Sequence, residues 1–137
     1  MLRVGIHGLG FMGMMHYLSY QQIEDVKVVA ICEVSEERRR GDWRSIKGNF
    51  GPQGTQMDLT GVSTYADSAD LFNDSSVDVV DICLPPGMHS SAAVGALSAG
   101  KHVVCEKPIS LTVEDAENMV NVAENNGKLF MVAQVLP

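Results

Sequence analysis

The sequence lacks the features of a membrane-bound or disulfide-stabilised protein. No apolar run approaches the roughly 18 residues of a membrane-spanning helix, and the chain opens on LRVGI without the basic, apolar and cleavage regions of a signal peptide. It has only 3 cysteines, an odd and sparse set that favours a reducing compartment over a disulfide framework. We therefore predict a cytoplasmic protein with no membrane partner.

Positive charge is also scarce. The chain has 10 Lys and Arg residues against 17 Asp and Glu residues, which gives a net charge of −7 at pH 7. The single basic cluster, Arg38-Arg39-Arg40, is short and follows two glutamates. Because nothing offsets the acidic surface, we predict that the protein does not bind nucleic acid. Its 137 residues and 45% apolar content are enough for one packed domain.

Short β-rich runs alternate with helical stretches along the whole chain. A continuous apolar run such as VKVVAIC is typical of a parallel strand that helices cover on both faces. The alternation predicts an α/β fold, a Rossmann-like doubly wound parallel sheet in three α/β/α layers. Strands are predicted at 3–7, 26–32, 62–65, 77–84, 101–105 and 128–135. Helices are predicted at 11–21, 36–46, from a cap at Asp67 to Phe72, at 89–99, and from a cap at Thr112 to Asn125, with a long loop at 48–61.

The first strand is followed by Gly8-Leu9-Gly10-Phe11-Met12-Gly13, a G-x-G-x-x-G pattern that opens a helix. Gly8 permits the tight turn, Gly10 lets the backbone approach a pyrophosphate, and Gly13 lets the helix sit close to the sheet. The helix N-terminus offers free N–H groups to phosphate. The alternative is three ordinary turn glycines. The position between strand and helix favours a dinucleotide site.

Glu33 follows the second strand, 20 residues beyond Gly13. A carboxylate there is expected to accept hydrogen bonds from the adenosine ribose hydroxyls. It favours NAD over NADP, because it would repel the 2′-phosphate. Arg38 or Arg39 could temper that repulsion, but we favour the interpretation that both pair with Glu36 and Glu37 on a solvated helix face.

Two polar motifs follow the fourth and fifth predicted strands. They are Leu84 to His89 and Glu106-Lys107-Pro108, and both are expected at the edge of the sheet where ligands bind. His89 either contacts ribose or substrate or is only the first residue of a helix, and the sequence leaves both open. Taken alone, Glu106 and Lys107 are better explained as a surface pair that ends a strand. We predict a cis Lys107–Pro108 bond.

Three segments with their spacing resemble the N-terminal domain of the glucose–fructose oxidoreductase, inositol dehydrogenase and rhizopine catabolism (Gfo/Idh/MocA) family. They are GIHGLGFMG, VDVVDICLPPGMHS and GKHVVCEKPIS, and the resemblance covers essentially the whole chain. It implies an oxidoreductase that uses NAD or NADP, NAD being favoured, to move hydride to or from a sugar, cyclitol or related polyol. The competing hypothesis is a non-catalytic dinucleotide-binding module that senses redox state or regulates a partner.

The resemblance also implies roles for individual residues. Lys107 is the implied catalytic residue, which polarises or deprotonates the reacting hydroxyl. The implied cofactor contacts are Gly8, Gly10, Phe11, Met12 and Gly13 at the pyrophosphate, Glu33 at the adenosine ribose, Leu84, Pro85 and His89 along the nicotinamide half, Glu106 at the nicotinamide ribose, and Lys107 and Gln134 near the nicotinamide.

The family has a second, mostly antiparallel domain that supplies the substrate pocket. We therefore expect residues 1–137 to be the dinucleotide-binding domain of a longer protein, able to bind dinucleotide weakly and to turn over little or no substrate by itself. An exposed last strand would make a homo-oligomer plausible. We predict no metal site, because Cys32, Cys83 and Cys105 lie in strands without C-x-x-C spacing.

Overall fold

The computed structural model describes residues 1–135 and shows alternating strands and helices. The strands are β1 (Leu2–His7), β2 (Val26–Cys32), β3 (Ser63–Tyr65), β4 (Val79–Ile82), β5 (His102–Glu106) and β6 (Phe130–Ala133). The helices are α1 (Phe11–Tyr20), α2 (Glu36–Arg39), α3 (Ser68–Phe72), α4 (His89–Ser98) and α5 (Val113–Asn125), with a 3-10 turn at Pro86–Met88 before α4.

The strands form one sheet in the order β3-β2-β1-β4-β5-β6, and every adjacent pair is parallel. This confirms the predicted doubly wound sheet. The order reverses between β1 and β4, because β2 lies on one side of β1 and β4 on the other. A crevice opens beyond the carboxyl ends of strands at such a reversal, which is where this architecture binds ligands.

Both faces of the sheet are covered, which confirms the three layers. All four residues of β4 are buried, as expected for a central parallel strand. One apolar cluster joins the sheet to α3, α4 and α5 and includes Leu71, Leu97 and Met119. The other joins it to α1 and to the segment after α2. None of the helices in residues 1–135 is long and apolar enough to cross a bilayer.

The helix predicted at 36–46 is wrong beyond its first turn. It ends at Arg39, and Gly41 has φ +89°, a left-handed conformation that glycine adopts without strain. A Cβ at Gly41 would lie 2.4 Å from the carbonyl oxygen of Met57. The chain then turns inward, so that Trp43 and Ile46 are buried in the core instead of lying along a surface helix.

Several predicted element ends are also corrected. The fourth and sixth strands are shorter than predicted, because the N–H groups of Val77 and Lys128 donate to turn carbonyls and not to a neighbouring strand. Thr112 caps α5 as predicted, accepting from the Asp115 N–H at 3.1 Å. Asp67 stands at the N-cap of α3, but its side chain makes no capping hydrogen bond.

Candidate functional site

The glycine turn connects β1 to α1, and its three glycines are required for different reasons. Gly8 has φ +99°. A Cβ at Gly13 would lie 2.0 Å from the carbonyl oxygen of Gly8, so the helix can pass the turn only without a side chain there. A Cβ at Gly10 would meet no atom within 4 Å. Gly10 is therefore not needed for packing, and the space above its backbone is open to a ligand.

The N-terminus of α1 opens onto the same space. Gly10 is its N-cap and has no side chain to accept from the first N–H groups. The first turn carries no acidic residue. The free N–H groups and the positive end of the helix dipole therefore remain available to an anion.

A cavity of about 680 Å³ lies over this turn, at the carboxyl ends of β1, β2, β4 and β5. Its size is typical of small-molecule sites. Most of the predicted site residues line it: Gly8, Gly10, Phe11, Met12, Glu33, Leu84, Pro85, Glu106 and Lys107. Gly13, His89 and Gln134 do not.

Glu33 is buried beside the glycine turn and is held by two backbone N–H groups. Its Oε1 accepts from Leu9 at 2.9 Å and its Oε2 from Ser35 at 2.7 Å. An ionised carboxylate offers about four acceptor sites, so lone pairs remain for ligand hydroxyls. The two N–H bonds fix the direction in which those lone pairs point.

The two arginines behind Glu33 do not pair with Glu36 and Glu37, so that prediction is wrong for both. Arg38 donates to the Leu9 carbonyl oxygen at 2.9 Å and lines the cavity. Arg39 donates to the Glu33 carbonyl oxygen at 2.7 Å. Because α2 is only one turn long, nearby loop carbonyl groups accept hydrogen bonds from the two guanidinium groups in place of the glutamates. Arg38 is therefore a cation held in place in the same cavity as Glu33.

His7 also lines the cavity, and the sequence reasoning did not single it out. It is the last residue of β1, its exposed fraction is 9%, and its Nδ1 has no hydrogen-bond partner in residues 1–135. Burial lowers the pKa of the ring, which Glu33 only partly offsets. A buried, unpartnered nitrogen costs free energy of folding. The sequence feature that could have identified His7 is a polar residue at the end of an apolar strand, directly before Gly8.

The loop after β4 is tied to the loop after β5 by His89. The ring is fully buried, with Nε2 2.7 Å from the Leu84 carbonyl oxygen and Nδ1 2.8 Å from that of Pro108. Both partners are acceptors, so His89 joins the two loops and does not enter the cavity. Of its two sequence interpretations, the geometry favours a role in fixing loop positions.

Glu106 and Lys107 follow each other at the end of β5. The Lys107 side chain is exposed and lines the cavity. The Lys107–Pro108 bond is cis, as predicted. Glu106 is less exposed, because its Oε1 lies 2.8 Å from His16 Nε2 and its Oε2 accepts from the Lys107 N–H at 3.2 Å.

Gln134 lies just after β6, where its backbone N–H donates to the Val132 carbonyl oxygen at 2.8 Å. Its side chain is exposed. The structure therefore separates Gln134 from the residues that it gathers around the cavity.

A group of potential metal ligands lies behind Glu106. Ligand atoms of His16, Asp81 and Cys83 lie within 4.8 Å of one another. The His16 ring is hydrogen-bonded to Asp81 at 2.7 Å. Burial raises the pKa of the Cys83 thiol, which disfavours the thiolate that metals bind. The group is a hydrogen-bonded network in this structure.

The residues around the cavity fit a dinucleotide. The open space over Gly10 and the uncapped helix suit a diphosphate. The oriented carboxylates of Glu33 and Glu106 suit two ribose diols, one on each side of the turn. His7, at the end of β1, lines the cavity between the strands that carry them.

Comparison with known proteins gives one family. Residues 2–134 match the Gfo/Idh/MocA family, described as an oxidoreductase family with an NAD-binding Rossmann fold. A myo-inositol 2-dehydrogenase of Thermotoga maritima is 33% identical over 119 residues, which are 87% of this chain and 32% of the relative. A levoglucosan dehydrogenase of Pseudarthrobacter phenanthrenivorans is 29% identical over 136 residues, which are 96% of this chain and 33% of the relative.

Among solved structures, a biliverdin reductase from Synechocystis in complex with biliverdin and NADP+ superposes with a TM-score of 0.78 at 28% identity. The match covers 96% of this chain and 37% of that one. The chain spans about one third of the length of the two curated relatives.

Proposed function

Because the chain belongs to the Gfo/Idh/MocA oxidoreductase family with its NAD-binding Rossmann fold, we propose that it is the dinucleotide-binding part of an NAD(P)-dependent dehydrogenase. The whole enzyme would transfer hydride to or from a cyclitol, sugar or related polyol, as the names of the myo-inositol and levoglucosan relatives suggest. The observation that carries the proposal is that one cavity contains the glycine turn, Glu33, Glu106 and Lys107 together.

The diphosphate would lie over the glycine turn. Backbone N–H groups at the start of α1 would bind its oxygens, and Gly10 would allow the close approach. Gly8 and Gly13 shape the turn, while Phe11 and Met12 line the cavity beside it. Glu33 would accept from the adenosine ribose hydroxyls through the lone pairs that Leu9 and Ser35 leave free.

The nicotinamide half would lie toward the ends of β4 and β5. A bound nicotinamide ring supplies or accepts the hydride. Leu84 and Pro85 form an apolar wall beside it, and His89 positions that wall through its two carbonyl contacts. Glu106 would accept from the second ribose. Gln134 remains a weaker proposal, since it lies outside the cavity.

Lys107 is the proposed catalytic residue. Its side chain is exposed, and it lines the cavity together with Glu106, the preceding residue in the chain. During reduction it would donate a proton to the alkoxide that develops on the substrate oxygen, and during oxidation the neutral amine would accept the hydroxyl proton. An ammonium stabilises the developing negative charge in both directions.

NAD is the cofactor that Glu33 favours. A carboxylate facing the adenosine ribose repels a 2′-phosphate, and the phosphate would also lose the diol hydrogen bonds. Arg38 acts against this preference because it brings a cation to the same wall of the cavity. Its guanidinium is held by the Leu9 carbonyl, so we expect it to reduce the preference without reversing it.

Titration with both reduced cofactors tests this proposal. The 137-residue chain is mixed with NADH or NADPH, and nicotinamide fluorescence and calorimetry report the Kd. We expect NADH to bind about tenfold more tightly, the equivalent of about 1.4 kcal/mol. A clear preference for NADPH would overturn the role of Glu33. Absence of binding for both cofactors would overturn the proposed function.

We further propose that the protein works in the reducing cytoplasm and is able to self-associate. Its three cysteines are all free thiols, which supports a reducing compartment. β6 is the outer strand on one side of the sheet in residues 1–135, and an edge strand can pair with a second copy. Light scattering of the purified chain measures its self-association.

A further inference from the structure

The ring of His16 lies between two carboxylates. His16 is in the second turn of α1, with Nδ1 2.7 Å from Asp81 Oδ2 and Nε2 2.8 Å from Glu106 Oε1. Ionised carboxylates only accept hydrogen bonds, so both contacts are satisfied when both ring nitrogens carry hydrogen. The geometry is therefore that of an imidazolium bridging two anions.

The surroundings of the ring come from three elements. Asp81 and Cys83 face it from β4 and the residue after it, Glu106 from β5, and Tyr20 from α1 itself. Asp81 is completely buried, and it also accepts from the Tyr20 hydroxyl at 2.7 Å. A buried carboxylate needs a compensating charge, and His16 forms the salt bridge that supplies it.

Burial and charge act on His16 in opposite directions. Burial of the ring is the largest single influence and lowers its pKa. Hydrogen bonds and charge from Asp81 and Glu106 together outweigh it, so the pKa is raised above its ordinary value of 6.5. The raised pKa favours the protonated ring, which agrees with the contact geometry.

We propose that His16 is a positioning residue for dinucleotide binding, whose protonated ring holds the Glu106 carboxylate in the orientation that accepts a ribose diol. Asp81 keeps the ring protonated and in place from the opposite side. The affinity for dinucleotide consequently depends on the protonation of a residue that does not line the cavity. This inference rests on the proposed function.

The effect of His16 on Glu106 follows from the remaining contacts. One carboxylate oxygen is held by His16 and the other by the Lys107 N–H, so the group cannot rotate away from the cavity. A neutral ring donates through one nitrogen only. The lone pair of the other nitrogen then faces a carboxylate oxygen, and the repulsion releases either Glu106 or Asp81.

The test combines NMR and equilibrium binding on the 137-residue chain. The ring signals of His16 give its titration directly, and NADH Kd values are measured from about pH 6 to about pH 10. We expect affinity in the wild type to fall about tenfold as His16 loses its proton, the loss of one charge-assisted hydrogen bond. At pH values below the measured titration of His16, the His16→Asn variant is expected to bind NADH about tenfold more weakly than wild type, and it should show no fall in affinity across the range.

Matched variants separate positioning from stability. His102→Asn changes a histidine on β5 whose Nδ1 accepts from the Leu129 N–H far from the cavity, and it should keep the wild-type pH profile. Tyr20→Phe removes one hydrogen bond to Asp81 and leaves His16 in place, so it should shift the profile without abolishing it. The wild-type profile needs no substitution and remains decisive if His16→Asn does not fold.

Different results would refute the positioning role of His16 and the proposed function. If the wild type binds NADH with a Kd that stays constant while His16 titrates, or if His16→Asn binds as well as wild type, the positioning role is refuted. A purely structural role would lower the melting temperature of His16→Asn and leave its pH profile parallel to the wild type. No binding by the wild type at any pH refutes the proposed function itself.

Discussion

At the scale of single residues, Gly10 and Gly13 lie one turn apart but face different surroundings. Gly10 has φ −81° and ψ −161°, an extended conformation that any residue adopts, with open space beyond its Cα. Gly13 is packed against the Gly8 carbonyl. Substitution by alanine therefore tests the two positions separately. At Gly10 the added methyl group should affect ligand binding, and at Gly13 it should affect folding stability.

Gly10→Ala should leave the melting temperature nearly unchanged and weaken NADH binding by at least about tenfold, because the methyl group occupies the diphosphate position. Gly13→Ala should unfold more easily. Helix propensity favours alanine by about 1 kcal/mol, but a fixed carbonyl oxygen at 2.0 Å forces backbone shifts that cost about 1–3 kcal/mol or more. Thermal melts by circular dichroism and NADH titration measure both variants. Normal NADH binding by Gly10→Ala would contradict a diphosphate over this turn.

At the scale of elements, the sequence predicted what depends on local pattern. The apolar run of β2 and the glycine turn before α1 are short-range signals, and both form as predicted. The end of α2 was missed, because the arginines and glutamates around it suit a helix. Gly41, which follows the C-cap with φ +89°, was a local stop signal that the prediction did not use. The approach of Met57 and the burial of Trp43 also set the path of the chain, and these depend on residues far along the chain.

The same limit applies to the candidate site. Glu33 was found because a carboxylate is expected after the second strand of a dinucleotide-binding fold. Glu106 and Lys107 were expected at the ligand edge of the sheet, but their roles came from the family resemblance of their motif. His16 was missed, although it lies in the helix after the glycine turn. Its partner Asp81 is 65 positions away and Glu106 is 90 positions away. Only the completed sheet brings these three residues together.

The segment between α2 and β3 is held to the domain by Trp43. Its ring is fully buried, stacks edge-to-face on Tyr17 with centroids 4.9 Å apart, and donates to the Arg38 carbonyl at 2.9 Å. We expect Trp43→Ala to lower the free energy of unfolding by about 3–5 kcal/mol. Trp43→Phe keeps a ring and removes the indole hydrogen bond, while the Arg38 carbonyl still accepts from the Gly41 N–H at 3.1 Å, so the substitution should cost about 0.5–1.5 kcal/mol from this bond.

Phe50→Ala is the matched control within the same segment. Phe50 contacts Phe11 edge-to-face at 5.1 Å, yet its exposed fraction is 64%. Truncation should therefore cost under about 1 kcal/mol. Urea denaturation followed by circular dichroism compares the three variants. If Trp43→Ala is no less stable than Phe50→Ala, Trp43 is not what anchors this segment.

At the scale of the whole molecule, two histidines oppose each other in the dependence of stability on pH. The pKa of His7 is lowered in the folded protein by burial, against Glu33. The pKa of His16 is raised, since Asp81 and Glu106 outweigh burial. The unfolded chain protonates both near 6.5. The folded protein therefore binds fewer protons at His7 and more at His16 than the unfolded chain does.

The two histidines change the free energy of unfolding with pH in opposite directions. Below about pH 6.5 the unfolded state takes up a proton at His7 that the folded state does not, so stability falls with acid, down to the folded pKa. The contribution of His16 is complete below about pH 6.5 and is lost as pH rises through its folded pKa. The plot of unfolding free energy against pH therefore has an acid limb, due to His7, and an alkaline limb, due to His16. Each limb has a limiting slope of about 1.4 kcal/mol per pH unit. Together they place a stability maximum between the two titrations.

Differences between wild type and single variants isolate these limbs from the other acidic and basic groups. The free energy of unfolding is measured by urea denaturation across pH for wild type, His7→Leu and His16→Asn. His7→Leu should remove the acid limb and keep the alkaline one, because leucine needs no proton and leaves no unpartnered nitrogen. His16→Asn should remove the alkaline limb alone. A curve for His16→Asn that stays parallel to wild type above pH ~6.5 would mean that the ring is not protonated between its two carboxylates.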